Sequence, residues 1–235
     1  MIDGLRNQRL SFPMVRDENG EYKELRWHKA LTAVREAVEM VRGDQIVGLV
    51  GPHADVESTL ALRDLLHRLG SERIEAKSTK PKVGVNLRSE YLSNSRIEGI
   101  SQADYVLLVG TNLRTEAPLL NTRILRLVED QGTEVAVLGV GSDLNYPYDH
   151  VGTSPATLAE IAEGKHPVSK ALAEAEYPMI IVSAGALGRL DGEAIMNNIK
   201  KICQGTPVID SNKNWNGLNI LHQEASSAGA CDLGI

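Results

Sequence analysis

Cysteine is scarce in this chain: there are two among 235 residues, Cys203 and Cys231, in no C-x-x-C or Cys/His cluster. A zinc ribbon or an iron–sulfur cluster built from this chain alone is thereby excluded, since either needs grouped ligands. Two isolated thiols also suit a reducing compartment. Aromatics make up 4% of the residues, with one Phe, so the core must be built from Leu, Ile, Val and Ala. A basic excess is absent: 25 Lys and Arg stand against 31 Asp and Glu, a formal net charge of −6. That balance argues against a nucleic-acid backbone as partner, because such binding rests on cations that displace counterions. The densest basic stretch, 77–82, has three Lys, one Pro and no aromatic, and reads as a solvated loop. No apolar run approaches the length that crosses a bilayer. No signal or transit pattern is visible, because Met1 opens directly into folded-looking sequence. Membrane association is therefore expected only through a partner.

What is present is an alternation of apolar runs with helical patterns, which predicts an α/β fold with a doubly wound, mostly parallel sheet. Residues 1–43 read as an irregular leading segment with an Asn19-Gly20 turn, followed by a first helix with Leu31, Val34, Val38 and Val41 on one face. Residues 44–164 read as a first α/β lobe and 165–235 as a second, partial lobe. Strands are expected at 46–50, 72–76, 105–109, 134–140 and 178–183, with a further one starting at Val208-Ile209. Helices are expected at 55–69, 117–131, 154–164, 192–203 and 217–228. Ser154-Pro155 starts one of these, and Asp191 is the expected cap of another. The connection 77–99 is long and mostly polar, which marks it as functional or pinned by a neighbour.

The turn after strand 105–109 is the place to look for a ligand, since open α/β sheets bind at the carboxyl ends of their strands. Gly110, Thr111 and Asn112 form it. Other motifs carry less. Gly139-x-Gly141 follows a strand, but no helix starts where a pyrophosphate would need one, so it reads as a tight turn. Gly185 and Gly188 have the wrong spacing for a phosphate loop. There is no G-x-S-x-G, and His28, His53, His67, His150, His166 and His222 are scattered. His53, at a strand end, has no nucleophile near it in sequence. Asp149 and His150 are adjacent on an extended chain and should point apart. No acidic pair has metal-site spacing. Neither a catalytic nor a metal-ligating residue is assigned.

Several segments together resemble the molybdopterin oxidoreductase superfamily, of which formate dehydrogenase is a member. RLSFPMVR at 9–16, then Gly20, Trp27 and Ala30-Leu31, is similar to its opening sequence, and ADYVLLVGTNLRTEAP at 103–118 to its strand–loop–helix. In that superfamily Gly-Thr-Asn lies near the pterin cofactor. One branch fits better, the largest iron–sulfur (75-kDa, NuoG-like) subunits of respiratory complex I. LRSEYL at 87–92, RTEAP at 114–118, YPYDHVG at 146–152 and ILHQEASSAGACDLG at 220–234 carry that resemblance. It covers essentially the whole chain.

The resemblance implies a cofactor-free, structural part of such a subunit, supporting NADH-to-ubiquinone electron transfer in the peripheral arm. Functional molybdenum enzymes of the superfamily show Gly-Thr-Asn-Pro and, after the next strand, Asp-Pro-Arg. Here Leu113 replaces the Pro, and Gly141-Ser142-Asp143 stands instead. The 77–99 loop, where those enzymes place the metal-ligating Cys, selenocysteine or Ser, has no Cys. Gly110, Thr111 and Asn112 are thus candidates for a vestigial pocket, with no cofactor, metal or catalytic residue expected on this chain. Iron–sulfur clusters are expected on N-terminal domains outside it, whether separately encoded or part of one longer polypeptide. The implied partners are other peripheral-arm subunits and the cluster-bearing part, without nucleic acid or membrane insertion. The implied location is the matrix side of the mitochondrial inner membrane, in preference to a bacterial cytoplasmic membrane. The fold is expected to be incomplete at its C-terminal end. The 9–16 segment and the 77–99 loop are the candidate contacts. The alternatives are a fragment of an active molybdopterin oxidoreductase, such as formate dehydrogenase, and a free-standing nucleotide-binding module.

Overall fold

A computed structural model of the chain describes residues 2–76, 84 and 86–235. The basic stretch 77–82 and the first part of the long connection lie outside the described residues. The chain divides into two compact units, Met1–Leu49 with Leu60–Glu75, and Val50–Thr59 with Ala76–Ile235.

The elements run α1 (Ile2–Asn7), β1 (Met14–Arg16), β2 (Tyr22–Glu24), α2 (Trp27–Glu39), β3 (Gly48–Val50), α3 (Val56–Arg68) and β4 (Ile74–Ala76). There follow α4 (Arg96–Gly99), β5 (Tyr105–Val109), α5 (Leu113–Glu116), α6 (Pro118–Gln131), β6 (Glu134–Leu138) and β7 (Asp149–Gly152). The last are α7 (Pro155–Ala162), α8 (Pro167–Glu174), β8 (Pro178–Ser183), α9 (Ala184–Leu187), α10 (Gly192–Gly205), β9 (Ile209–Asp210), β10 (Trp215–Asn216), β11 (Leu218–Leu221) and α11 (Ser227–Leu233).

In the first unit the Asn19-Gly20 turn joins β1 and β2 into an antiparallel hairpin. Gly20 takes φ +84°, a conformation that glycine adopts at no steric cost. Asp17 Oδ1 accepts from the N–H groups of Asn19 and Glu21, both at 2.9 Å, and stiffens the turn. Arg16 donates to the Gly20 carbonyl at 3.0 Å and lies over the Tyr22 ring. Helix α2 has the expected apolar stripe, but Trp27, Leu31 and Val34 on it are exposed, as are Leu10 and Phe12.

The second unit is built on a five-stranded parallel sheet of order β11-β8-β5-β6-β7. Side chains alternate across a strand, so each buried run feeds two cores. Leu107 and Val109 of β5, Ala136 and Leu138 of β6, and Ile180 and Val182 of β8 meet α7, α8 and α10 on one face. Val106 and Leu108, Val135 and Val137, and Met179 and Ile181 meet α6 and its neighbours on the other. Each fully buried Leu or Ile contributes about 1.5–3 kcal/mol. Helices on both faces make the sheet doubly wound, as the alternation of elements predicts.

Helix α6 starts with Pro118 in its first turn and ends at Gly132, which takes φ +71°. Ser154 caps α7, its Oγ accepting from Ala156 N–H at 3.2 Å. Asp191 flanks α10 but does not cap it, since its carboxylate takes a bidentate pair from Arg189 instead, at 2.7 and 2.9 Å.

The structure corrects the expectation of a helix over 217–228. Leu218 and Ile220 point into one core as β11, and a short helix begins only at Ser227. Hydrogen bonding beside β8 decides this, with Leu218 opposite Ile180 and Leu221 opposite Ser183. The strand expected to reach Val140 also ends early, at Leu138, because Gly139 (φ +148°) turns the chain.

Strand β11 is the sheet's last strand, and the described end of the long connection covers it. Ile220 N–H donates to Leu92 O at 3.0 Å, and Asn94 Nδ2 donates to Leu218 O at 2.7 Å. Buried Asn219 accepts from Ser95 N–H and from the hydroxyls of Ser93 and Ser95, each at 3.0 Å. An edge strand left bare would be a template for association; here an irregular segment occupies it. The expectation that the loop is pinned by a neighbour holds for this part.

Candidate functional site

In chain order the sheet grows from β5 outward to β7, and β8 then returns to the opposite side of β5. The connections after β5 and β8 therefore part at the topological switch point, where such sheets leave a crevice. A cavity of about 410 Å³ opens there, lined by Gly110, Thr111, Asn112, Glu116, Gly139, Ser154 and Arg189 among others.

Gly110 makes the turn possible. It takes φ +61°, its N–H donates to Leu138 O at 2.8 Å, and an added Cβ would stand 2.7 Å from Ala186 Cβ. Asn112 then leads into α5, whose last residue folds back on the turn. Glu116 Oε1 accepts from Asn112 N–H at 2.8 Å, and Oε2 accepts from Ser183 Oγ–H at 3.0 Å. Ser183 Oγ in turn accepts from Gly185 N–H at 3.1 Å. One carboxylate thus bridges the loops that follow β5 and β8. The Thr111 Oγ1 and Asn112 Oδ1 atoms are buried and have no hydrogen-bond partner among the described residues. Arg189, the cation on the wall, is paired with Asp191.

The loop after β6 is tied back by a second pair. Arg114 donates to Asp143, whose carboxyl is held below its usual range first by Asn145 N–H and then by the guanidinium. The Tyr148 hydroxyl closes this loop by donating to Ser142 O at 2.8 Å.

Of the residues singled out in the sequence, the structure gathers Gly110, Thr111 and Asn112 with Gly139 and Gly185 at one cavity. Glu116 and Arg189, which also line it, and Ser183, which holds the Glu116 carboxylate, are residues that sequence reasoning missed. Glu116 four residues after Asn112 was the available signal, since residues four apart at a helix turn are neighbours and a carboxylate there can reach back. The histidines remain dispersed. His166 Nδ1 accepts from Val168 N–H at 3.2 Å and caps α8. His150 donates to Gly139 O at 2.7 Å, and His222 to Tyr91 O at 2.6 Å. His53 is exposed. Among the described residues no three His, Cys, Asp or Glu side chains are grouped to hold a metal.

A parallel sheet covered by helices on both faces, with a glycine turn at its switch point, defines a doubly wound α/β protein. Residues 9–235 match the molybdopterin oxidoreductase family, and the chain belongs to it. Within that family it is 41% identical, over 99% of its own length and 31% of the relative's, to the mitochondrial NADH dehydrogenase (ubiquinone) iron-sulfur protein 1 of Solanum tuberosum. It is 40% identical over 99% of its length, and 35% of the relative's, to the NADH-ubiquinone oxidoreductase 75 kDa subunit of Reclinomonas americana. It is 36% identical over 99% of its length, and 34% of the relative's, to a subunit of the NADH-quinone oxidoreductase of Rickettsia typhi. The chain spans about a third of the length of these relatives. No described helix is long and apolar enough to cross a membrane.

Proposed function

We propose that the chain is a structural, cofactor-free part of the iron–sulfur subunit of respiratory complex I. In this reading it packs against the cluster-bearing part of that subunit and neighbouring subunits of the peripheral arm. It thereby supports electron transfer from NADH to ubiquinone on the matrix side of the mitochondrial inner membrane. The observation that carries this is the likeness, across 99% of the chain, to the subunits just named.

The switch-point cavity supports the cofactor-free part of the reading. A pterin dinucleotide brings several negative charges, which call for free amides and cations. Here the Asn112 and Gly185 amides and the Ser183 hydroxyl are engaged within the protein. The Glu116 carboxylate would face the phosphates, and Arg189 is held by Asp191. These residues do not fit the group. Gly110, Thr111 and Asn112 then serve as a turn that locks two loops together. The exposed apolar side chains of the leading segment, Leu10 and Phe12, are suited to a subunit contact. Arg16 is engaged in its own hairpin and is less available for one.

Native-gel migration of the protein from mildly solubilised membranes tests the proposal. Co-migration with NADH dehydrogenase activity is the expected result, with no molybdenum or tungsten bound. Migration outside that band would overturn the assembly reading. Stoichiometric molybdenum or tungsten would overturn the cofactor-free reading and favour an active oxidoreductase fragment.

A further inference from the structure

Helix α6 is anchored by one face and open on another. Ile124 and Leu127 are buried in the core, whereas Leu119, Thr122, Arg123 and Arg126 follow one another at helical spacing on the exposed side. Leu119 is 82% exposed. Ile97 of α4, 58% exposed, stands opposite, and with Pro118 these residues line a groove of about 520 Å³. Arg123 and Arg126 at its end form no ion pair or hydrogen bond with any described residue. In a chain of net charge −6, the groove thus joins an apolar floor to two free guanidinium groups and holds no carboxylate of its own.

We propose that this groove docks a segment of another polypeptide that carries apolar side chains followed by Asp or Glu. The apolar side chains cover Leu119, Ile97 and Pro118, and the carboxylates reach Arg123 and Arg126, whose forked donors suit bidentate pairing. Charge complementarity selects this occupant. A two-fold contact with a second copy would set the patch against itself, arginine against arginine, without a neutralising acid in the groove. Two guanidinium groups are too few for a nucleic-acid backbone or an anionic lipid surface, which call for larger basic clusters. They match the one or two carboxylates of a short segment. The proposal rests on the assembly reading for where the partner is found, and its test separates the two.

A photo-crosslinking residue is placed at Leu119 in the full-length protein in its own membranes, and the captured peptide is sequenced after irradiation. One recurrent segment with apolar residues beside Asp or Glu is expected. Its yield should fall about tenfold in an R123E/R126E double variant, the effect of two exposed charge pairs. It should return in the R123K/R126K form, which keeps the charge. Unchanged native-gel migration of the variants shows that they still fold and assemble. Capture of a second copy, of lipid or of a basic segment would overturn the proposal. So would a captured acidic segment that is indifferent to charge reversal, or no capture at all. An acidic segment captured from a protein outside complex I would sustain the groove while removing the assembly reading.

Discussion

Asp232 holds Arg88 across 144 residues of sequence, with Nε–Oδ1 at 2.7 Å and Nη2–Oδ2 at 2.8 Å. The buried Tyr91 hydroxyl donates to the same Oδ1 at 2.8 Å. Arg88 and Tyr91 lie on the long connection and Asp232 on α11. The cluster therefore clamps the segment that covers the edge strand β11. Planar bidentate pairing makes this geometry stronger than a simple ion contact.

The clamp should give stability a specific acid dependence. Arg88, and after it the Tyr91 hydroxyl, hold the Asp232 carboxyl below its ordinary 3.8. A depressed native value means that the stabilisation is complete above the unfolded value and disappears as pH falls through the native one. Thermal unfolding followed from about pH 6 to pH 3 should therefore drop less steeply in D232N than in the wild type. Equal slopes would show that the clamp contributes nothing.

Asn219 is the second fastener. Replacing it with Leu keeps the bulk but removes the acceptor for Ser95 N–H and two hydroxyls. A loss of about 1–3 kcal/mol is expected from the stranded donors. Amide hydrogen exchange at residues 93–95 should accelerate well beyond that of β5; uniform exchange across the unit would count against a local role.

Gly110 should not tolerate a side chain. An alanine there would meet Ala186 Cβ at 2.7 Å in a backbone conformation of φ +61°. The expected cost in denaturant unfolding is about 1–3 kcal/mol. G132A adds a Cβ to open space at a similar φ, +71°, and should lose only the backbone part, about 1 kcal/mol. Equal losses would mean that the close approach to Ala186 is relieved without strain.

The two cysteines should differ in reactivity. Burial pushes the Cys203 thiol up to about 12 and leaves it nearly without thiolate at neutral pH. Cys231 is half-buried, and burial, then the neighbouring Asp232, raises it as well. Maleimide should label Cys231 slowly in the native protein and Cys203 only once it unfolds. Rapid native labelling of Cys203 would contradict its packing.

Helix α6 and strands β5 and β8 were legible in the sequence within a residue, because apolar period, proline and glycine all agreed there. Strand β11 was not legible, because Leu218 and Ile220 fit a short strand and a helical pattern equally well. Its pairing partner, residues 178–183, lies some forty positions earlier, and only the registered ladder beside β8 decides. Residues 110–112 were found because a turn after a buried strand is a local feature. Glu116 and Ser183 were missed as a pair because 67 residues separate them.

The sequence by itself determined the class of the protein. A cysteine-poor, aromatic-poor, mildly acidic chain with buried runs of Val, Ile and Leu between amphipathic helices can fill only a two-faced α/β core. Its distributed motifs also placed it within one family. The tertiary structure alone decided what the switch point contains and how the sheet's edge is closed. Both depend on side chains distant in sequence whose donors and acceptors must be satisfied once buried, and that accounting exists only after the chain has folded.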